Sequence, residues 1–248
     1  VYNGAKYFCG WRKKREIMKI TWIGQSGYII KTETAEIIID PYLSDIVNKI
    51  SNRPRLIPAL IKAQEIRADA VICTHAHMDH LDTETVKKIP EKQFFVTTEE
   101  GARIIQNSGH KNVFPLHIGE TIRIKNIKIK AVYAKHTIEA FGILLQTETI
   151  CLYFSGDTLY DEKLFSIAEY CPDISFLCIN GKLGNMNVKE AARIAKKIGA
   201  KINVPNHYGM FASNTEDPRK FTSYLTNGFI MEYGKEYEIE NILHQRIF

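Results

Sequence analysis

The sequence predicts an α+β fold in which β-sheets are sandwiched between helical layers. Short apolar runs gather in two β-rich blocks, over residues 20–40 and 121–154, and each block is followed by strand and helix patterns in alternation. With 248 residues and 45% hydrophobic content, the chain can bury a substantial core in one large domain. It carries no internal repeat and no low-complexity segment.

Residues 1–17 lack periodicity and read as an N-terminal extension. Met18-Lys19-Ile20 reads as a natural start, and residues 18–248 are expected to form a single domain. Ile20 to Gly24, Gly27 to Thr32 and Ala35 to Asp40 form three β-type runs separated by the Gln25-Ser26 and Glu33-Thr34 turns, a meander. Between Leu43 and Arg67 the pattern loosens into a loop with a short helix. So long a connection is often functional, and it leads back to the strand Ala70-Val71-Ile72-Cys73. Asp82 is placed to cap a helix over Thr83 to Ile89, with Glu84 in its first turn and Pro90 stopping it.

Gln93 to Thr97 is read as a strand and Thr98 to Asn107 as a helix. Thr121 to Ile124, Ile127 to Ala134, Gly142 to Gln146 and Ile150 to Phe154 are read as antiparallel strands. Alternation then resumes with a strand over Ile174 to Ile179, a helix over Val188 to Ile198, a strand over Ile202 to Pro205 and a helix from about Glu216 to Leu225.

A net charge of +5 suits an anionic substrate and is too small to argue for nucleic acid. The densest basic run, Arg12-Lys13-Lys14-Arg15, reads as a solvated tail. Cys9, Cys73, Cys151, Cys171 and Cys178 are odd in number and without paired spacing. They are expected to be free thiols in a reducing compartment, which together with the lack of a secretory h-region or a bilayer-length apolar stretch predicts a cytoplasmic protein. A homo-oligomeric state is left open.

The chemistry concentrates in Thr74-His75-Ala76-His77-Met78-Asp79-His80, directly after an apolar strand. Gathering this many titratable groups without a counter-ion would be costly, and imidazole and carboxylate are the usual ligands of catalytic divalent ions. If the strand pairing persists, His75 and His77 point one way, while Asp79 and His80 turn towards a second metal position. Three further polar residues follow strands: His136 after Tyr133-Ala134, Asp157 after Tyr153-Phe154-Ser155-Gly156, and His207 after Val204-Pro205-Asn206. Strands ending on one sheet edge bring such residues together. Asp40, ending the third run, can orient a ligand histidine from behind, or simply form an Asp-Pro turn. His110, His117 and His244 lack such placement and are expected at the surface.

The order Asp40, His75-x-His77-x-Asp79-His80, His136, Asp157, His207 resembles the metallo-β-lactamase superfamily, from Met18 onward. The resemblance implies an αββα sandwich of two mixed β-sheets flanked by helices. It also implies one metal held by His75, His77 and His136, a second held by Asp79, His80 and His207, and Asp157 bridging both. Asp40 falls at the family's structural aspartate. His77, in place of a glutamate, resembles the hydrolytic members and not the di-iron oxidoreductases. The stretch Arg67 to His75, with Asp40-Pro41 and Asn180-Gly181-Lys182-Leu183-Gly184, resembles the hydrolase group that includes L-ascorbate-6-phosphate lactonases and N-acylphosphatidylethanolamine phospholipase D, and Ala200 to His207 with Asp217-Pro218 resembles the lactonase side, although this chain is more compact.

The expected cofactors are two divalent ions, zinc first, with manganese and iron also suited. Such ions lower the pKa of a bridging water from about 15.7 towards about 7 and so supply hydroxide, with Asp79 orienting the water and carrying a proton and no part for Ser155. The expected function is hydrolysis of a small-molecule ester or lactone, including a sugar-phosphate lactone. The alternatives are a phosphodiesterase or nuclease using the same two-metal site, and a non-catalytic metal-binding protein. Nucleic acid is disfavoured because no segment is long enough to clamp it. For the substrate, the stretch from Asn180 to the helix start at Asn187, with Lys182 nearby, reads either as a holder of phosphate or carboxylate or as an ordinary Gly-rich connection, and Tyr208 and Phe211 beside His207, with Gln25, are further candidates for the pocket wall.

Overall fold

Strands β1 (Lys19–Gly24), β2 (Gly27–Lys31) and β3 (Glu36–Ile39) form the expected antiparallel meander in the computed structural model, which describes residues 17–244. The predicted extension, apart from Ile17, lies outside the described residues, as do the basic run Arg12-Lys13-Lys14-Arg15 and Cys9. The chain then runs through helix α1 (Ile46–Ser51), β4 (Ala70–Ile72), α2 (Thr83–Val86), β5 (Phe95–Thr97), α3 (Glu99–Asn107) and β6 (Val113–Pro115). Strands β3, β4, β5 and β6 pair in parallel.

The second half holds β7 (Thr121–Ile124), β8 (Ile127–Tyr133), β9 (Phe141–Gln146) and β10 (Cys151–Phe154), all antiparallel, then a 3-10 helix over Glu162–Tyr170. Strand β11 (Ile174–Cys178), helix α4 (Val188–Ile198) and β12 (Ile202–Asn206) follow, with β10, β11 and β12 parallel. Helix α5 (Pro218–Thr222), strand β13 (Glu236–Glu238) and helix α6 (Ile239–His244) complete the described chain, and β13 returns to pair with β1. The result is two mixed sheets flanked by helices, in the orders β13-β1-β2-β3-β4-β5-β6 and β12-β11-β10-β9-β8-β7.

The period of two decides which side chains face which layer. Ile37, Ile39 and Ile72 join the core with Ile20, Tyr28, Ile129, Ile143, Leu145 and Phe154, whereas their neighbours Ile38, Val71 and Cys73 pack with Val86 and Ile105 beneath the helices. Strands buried on both faces read in the sequence as unbroken apolar runs. Between the sheets, Phe154 and Phe176 stack with ring centroids 4.3 Å apart, and Tyr28 of the opposite sheet meets them at 5.2 and 5.0 Å.

Direction matters most for function. Strands β1 and β3 run the same way because two antiparallel pairings through β2 separate them, and β4 pairs in parallel with β3. In the second sheet, β8, β10 and β12 likewise share a direction. Their C-terminal ends open onto common edges, and the two edges are tied where Phe141 N donates to Thr74 O at 3.2 Å and His75 bridges Ala140.

Some boundaries differ from expectation. Helix α2 stops at Val86, not Ile89, where the turn tightens: Lys88 N bonds back three residues to Thr85 O and Ile89 N is shared between Thr85 O and Val86 O, while Asp82 caps the helix as expected. The helix expected from Glu216 to Leu225 is confined to α5, where Asp217 caps and Pro218 supplies a preset first position. His110 is buried and not at the surface; its Nε2 lies 2.9 Å from Val86 O, and its ring meets Phe95 edge-on at 4.8 Å. Cys73, Cys151 and Cys178 are buried free thiols and Cys171 is exposed. Among the described residues no helix is long and apolar enough to cross a membrane.

Candidate metal centre

The loop after β4 carries His75, His77, Asp79 and His80. The loops after β8, β10 and β12 bring His136, Asp157 and His207 to meet them. His75, His80, His207 and Asp157 are buried, and His77, Asp79 and His136 are partly so. The structure therefore unites all seven predicted ligand residues across four strand ends.

Their contacts divide into two halves. In the first, His77 Nδ1 lies 2.9 Å from His75 Nε2 and 3.0 Å from His136 Nε2. Ligand nitrogens about 2.0–2.1 Å from one tetrahedral ion stand about 3.3 Å apart, so this trio has nearly that spacing. In the second, Asp79 Oδ2 lies 3.3 Å from His207 Nε2 and 3.8 Å from His80 Nε2. Asp157 stands between them, with Oδ1 3.2 Å from His80 Nε2, Oδ2 3.2 Å from His207 Nε2, and Oδ2 4.0 Å from His136 Nε2. His75, His80 and Asp157 also converge closely enough to form a ligand triad of their own.

Partners behind the rings settle which nitrogen faces inward. Asp40 Oδ2 accepts from His80 Nδ1 at 2.7 Å and from Thr74 Oγ1 at 2.8 Å, while Asp40 Oδ1 accepts from Thr74 N at 2.7 Å. Since the Thr74 hydroxyl proton goes to Asp40, its oxygen is left to accept from His75 Nδ1, 3.1 Å away. His136 Nδ1 donates to Gly184 O at 3.1 Å. Each of these histidines thus directs Nε2, with its lone pair, towards the cluster.

Gly184 permits that contact, because its φ is +90° and a Cβ there would stand 2.9 Å from His136. Gln25, Asp40 and His207 hold left-handed backbones with φ of 52°, 42° and 60°, a cost of roughly 1–3 kcal/mol each that clusters at the centre. Gln25, fully buried, donates from Nε2 to Asp79 Oδ2 at 2.7 Å.

The electrostatics also split. For His75 burial, reinforced by neighbouring His80, holds the ring well below its ordinary pKa, and burial lowers His77 and His136 too. Burial would likewise lower His80 and His207, but the surrounding carboxylates outweigh it: Asp157, Asp40 and Asp79 push His80 well up, and Asp157 and Asp79 push His207 up to about 9. Burial alone would raise Asp79 and Asp157, and His80 and His207 instead hold both below the usual carboxylate range.

The donor set fits divalent cations. His80 Nε2 and Asp157 Oδ1 are both buried and face each other at ion-pair distance, 3.2 Å, and neither finds a well-directed hydrogen bond elsewhere. An imidazole nitrogen and a carboxylate oxygen converging in the interior with no better-directed partner are suited to a shared ion. Ser155 is placed otherwise: its Oγ donates to Gly156 O at 2.7 Å and accepts from Cys178 N, so it is structural.

A cavity of about 350 Å³ opens over the cluster. His77, Met78, Asp79, Asp157 and His207 line it, with Val47, Ser51 and Arg53 on one side and Thr137, Leu183, Gly184, Phe211 and Asn214 on others. That volume is in the range of small-molecule sites. Of the expected substrate residues, Phe211 lines the cavity, while Lys182, Asn180 and Tyr208 do not. Lys182 Nζ donates to Ser213 O at 3.0 Å, and the Asn187 side-chain Oδ1 already takes the amides of Lys189 and Glu190 at the start of α4. Asn180 lies behind the wall, donating to Asn214 Oδ1 at 2.8 Å, and Tyr208 packs on Trp22 with centroids 4.7 Å apart. Sequence reasoning missed Arg53, Val47 and Ser51, which belong to the segment read only as loop and short helix.

Comparison with known proteins agrees with this geometry. A metal-dependent hydrolase of Methanopyrus kandleri is 29% identical, covering 89% of this chain and all of the relative, and one of Bacillus subtilis is 30% identical, covering 90% and all of the relative. The structure of Igni18, a metallo hydrolase of Ignicoccus hospitalis, superposes with a TM-score of 0.72 at 22% identity over 90% of this chain and 98% of that one, a likeness of fold. The family model for a beta-lactamase superfamily domain matches residues 19–207, a span from β1 to the last of the seven clustered residues. With well over half its length matched and the His/Asp cluster inside the match, this chain belongs to the metallo-β-lactamase superfamily.

Proposed function

We propose that the protein is a two-metal hydrolase of a small ester or lactone, and that His75, His77 and His136 hold one ion, Asp79, His80 and His207 the other, with Asp157 shared. The observation that carries this reading is the convergence of seven imidazole and carboxylate groups from four strand ends, with His80 Nε2 and Asp157 Oδ1 fully buried and facing each other at 3.2 Å in their midst. Two divalent ions, zinc first with manganese and iron also suited to this donor set, would supply an acidified water and polarise the bond under attack.

The chain's own residues divide the remaining work. Asp79 has 18% of its side chain exposed, against 5% for Asp157 and none for Asp40, so it is the carboxylate that a reacting proton can reach. Gln25 fixes Asp79 through Oδ2. Asp40 and Thr74 keep His75 and His80 in the ligating tautomer and move no proton to substrate. Met78, Val47, Phe211 and Leu183 give the cavity apolar walls that limit water around the scissile group. The likeness to the lactonase branch supports a lactone, including a sugar-phosphate lactone, among ester substrates.

The test is a hydrolysis screen of the zinc- and manganese-loaded protein against p-nitrophenyl esters, lactones, sugar-phosphate lactones, cyclic nucleotides and bis(p-nitrophenyl) phosphate, with Asp157→Ala alongside. An ester or lactone should be hydrolysed by the parent protein and only at background rate by the variant. Activity confined to phosphate diesters would replace the ester reading, and activity surviving in Asp157→Ala would remove the two-metal one.

A further inference from the structure

Among the described residues, Arg53 is the one arginine or lysine lining the cavity over the cluster. It is half-buried, and among the described residues no carboxylate, carbonyl or aromatic ring engages its guanidinium. The contrast with Arg55, two residues on, is instructive. Arg55 donates through Nε to Ile57 O at 2.7 Å and through Nη1 to Ser44 O at 2.9 Å, and it lies over the Tyr42 ring at 5.2 Å, so it is consumed by the fold.

The backbone holds Arg53 in place from both sides. Asn52 closes α1 in a left-handed cap with its N–H on Asn48 O at 2.8 Å. Beyond Pro54, Arg55 N donates to Asp45 Oδ1 at 3.2 Å and Leu56 N to Met210 O at 2.8 Å. Val47 and Ser51, one turn apart on α1, line the same wall. The segment is therefore a fixed shelf that presents one unpaired cation to the cavity.

Charge gives the shelf a purpose. Among the described residues, Asp79 and Asp157 are the only carboxylates lining the cavity, and both belong to the ligand cluster. With two divalent ions in place, that floor is net positive, and a guanidinium beside it faces repulsion unless the occupant brings negative charge. We infer that Arg53 is the specificity residue of this site, and that the substrate carries an oxyanionic group, carboxylate or phosphoryl, held by the guanidinium fork while its scissile bond lies over the cluster. This rests on the two-metal reading above. It moves anion recognition from Lys182, whose Nζ is held by Ser213 O, to Arg53 on the cavity wall.

The test is binding, which needs no turnover. Metal-loaded wild-type protein, Arg53→Gln and Arg53→Lys, matched for metal content, are titrated calorimetrically with dicarboxylates from malonate to adipate and with the monocarboxylates of equal carbon number. 3-Phosphonopropanoate beside succinate distinguishes a phosphoryl from a carboxylate preference. At least one dianion should bind wild type about tenfold to a hundredfold more tightly than its monoanionic counterpart, the gain of one charge-assisted fork. Arg53→Gln should lose that preference while still binding the monoanion, and Arg53→Lys should keep part of it. An equal preference in wild type and Arg53→Gln across the series, or none in wild type, overturns the inference. If the hydrolysis screen fails while the Arg53-dependent preference holds, the reaction assignment falls and the anion subsite stands.

Discussion

Asp40 and His80 meet through Oδ2 and Nδ1 at 2.7 Å, and neither side chain has any exposed surface. The contact joins the end of β3 to the loop after β4 and decides which His80 nitrogen faces the cluster. Asp40→Asn keeps an acceptor for Thr74 N but turns an N–H towards His80 Nδ1, so the ring must move its proton to Nε2. The variant should bind the second metal equivalent about 10–100-fold more weakly. Elemental analysis after dialysis against a graded chelator reads this directly, and two equivalents retained as tightly as in wild type would refute it.

Gln25 touches Asp79 Oδ2 and not substrate space, so it is a positioning residue. Its Oε1 is buried without a partner, so Gln25→Leu removes an unsatisfied acceptor together with the donor. The variant should fold at least as stably as wild type and lose roughly tenfold in kcat, with KM little changed. A fall in KM-dependent terms alone would assign Gln25 to substrate binding instead.

Gly184→Ala places a methyl group 2.9 Å from His136 at a φ of +90°. The strain is about 1–3 kcal/mol and is relieved most simply by moving His136. Activity should fall more than thermal stability does, and a crystal structure should show the imidazole displaced. Wild-type turnover in a stable Gly184→Ala protein would show that His136 is not held by this contact.

Asp82 is 1% exposed and accepts from the backbone of Leu43, Ser44, Glu84 and Thr85 and from the hydroxyls of Ser44 and Thr85. It therefore caps α2 and pins the start of the segment carrying α1. Asp82→Ala should cost about 2–4 kcal/mol in denaturant unfolding. A loss under 0.5 kcal/mol by the same order-of-magnitude reasoning would mean that the segment is held elsewhere.

Much of this was legible in the sequence because it depends on local rules. The ligand cluster lies within one loop, and the partners His136, Asp157 and His207 each follow a clear apolar run. Capping residues such as Asn187 with Glu190 announce their helix by type and spacing. What stayed hidden depends on packing between distant segments. Lys182 looked available because nothing in the sequence shows that Ser213 O lies within its reach. Arg53 looked ordinary because only the folded chain separates it from Arg55. His110 looked exposed because its acceptor, Val86 O, comes from another helix. Strand β13 escaped notice because it is three residues long, and its pairing with β1 joins opposite ends of the described chain.

The tie between Thr74 and Phe141, with the clustered residues drawn from both sheets, has a consequence for biogenesis. During synthesis the His75 to His80 loop leaves the ribosome long before β12 exists, and until β12 docks His207 is missing from the proposed ligand set, so the early histidines and aspartates would offer an incomplete site. Non-local pairings of this kind form late and slowly. A tightly retained ion is therefore a signal that the last strand has found its place, so metal retention in the cell would report completed folding of the whole sandwich and not of its first half.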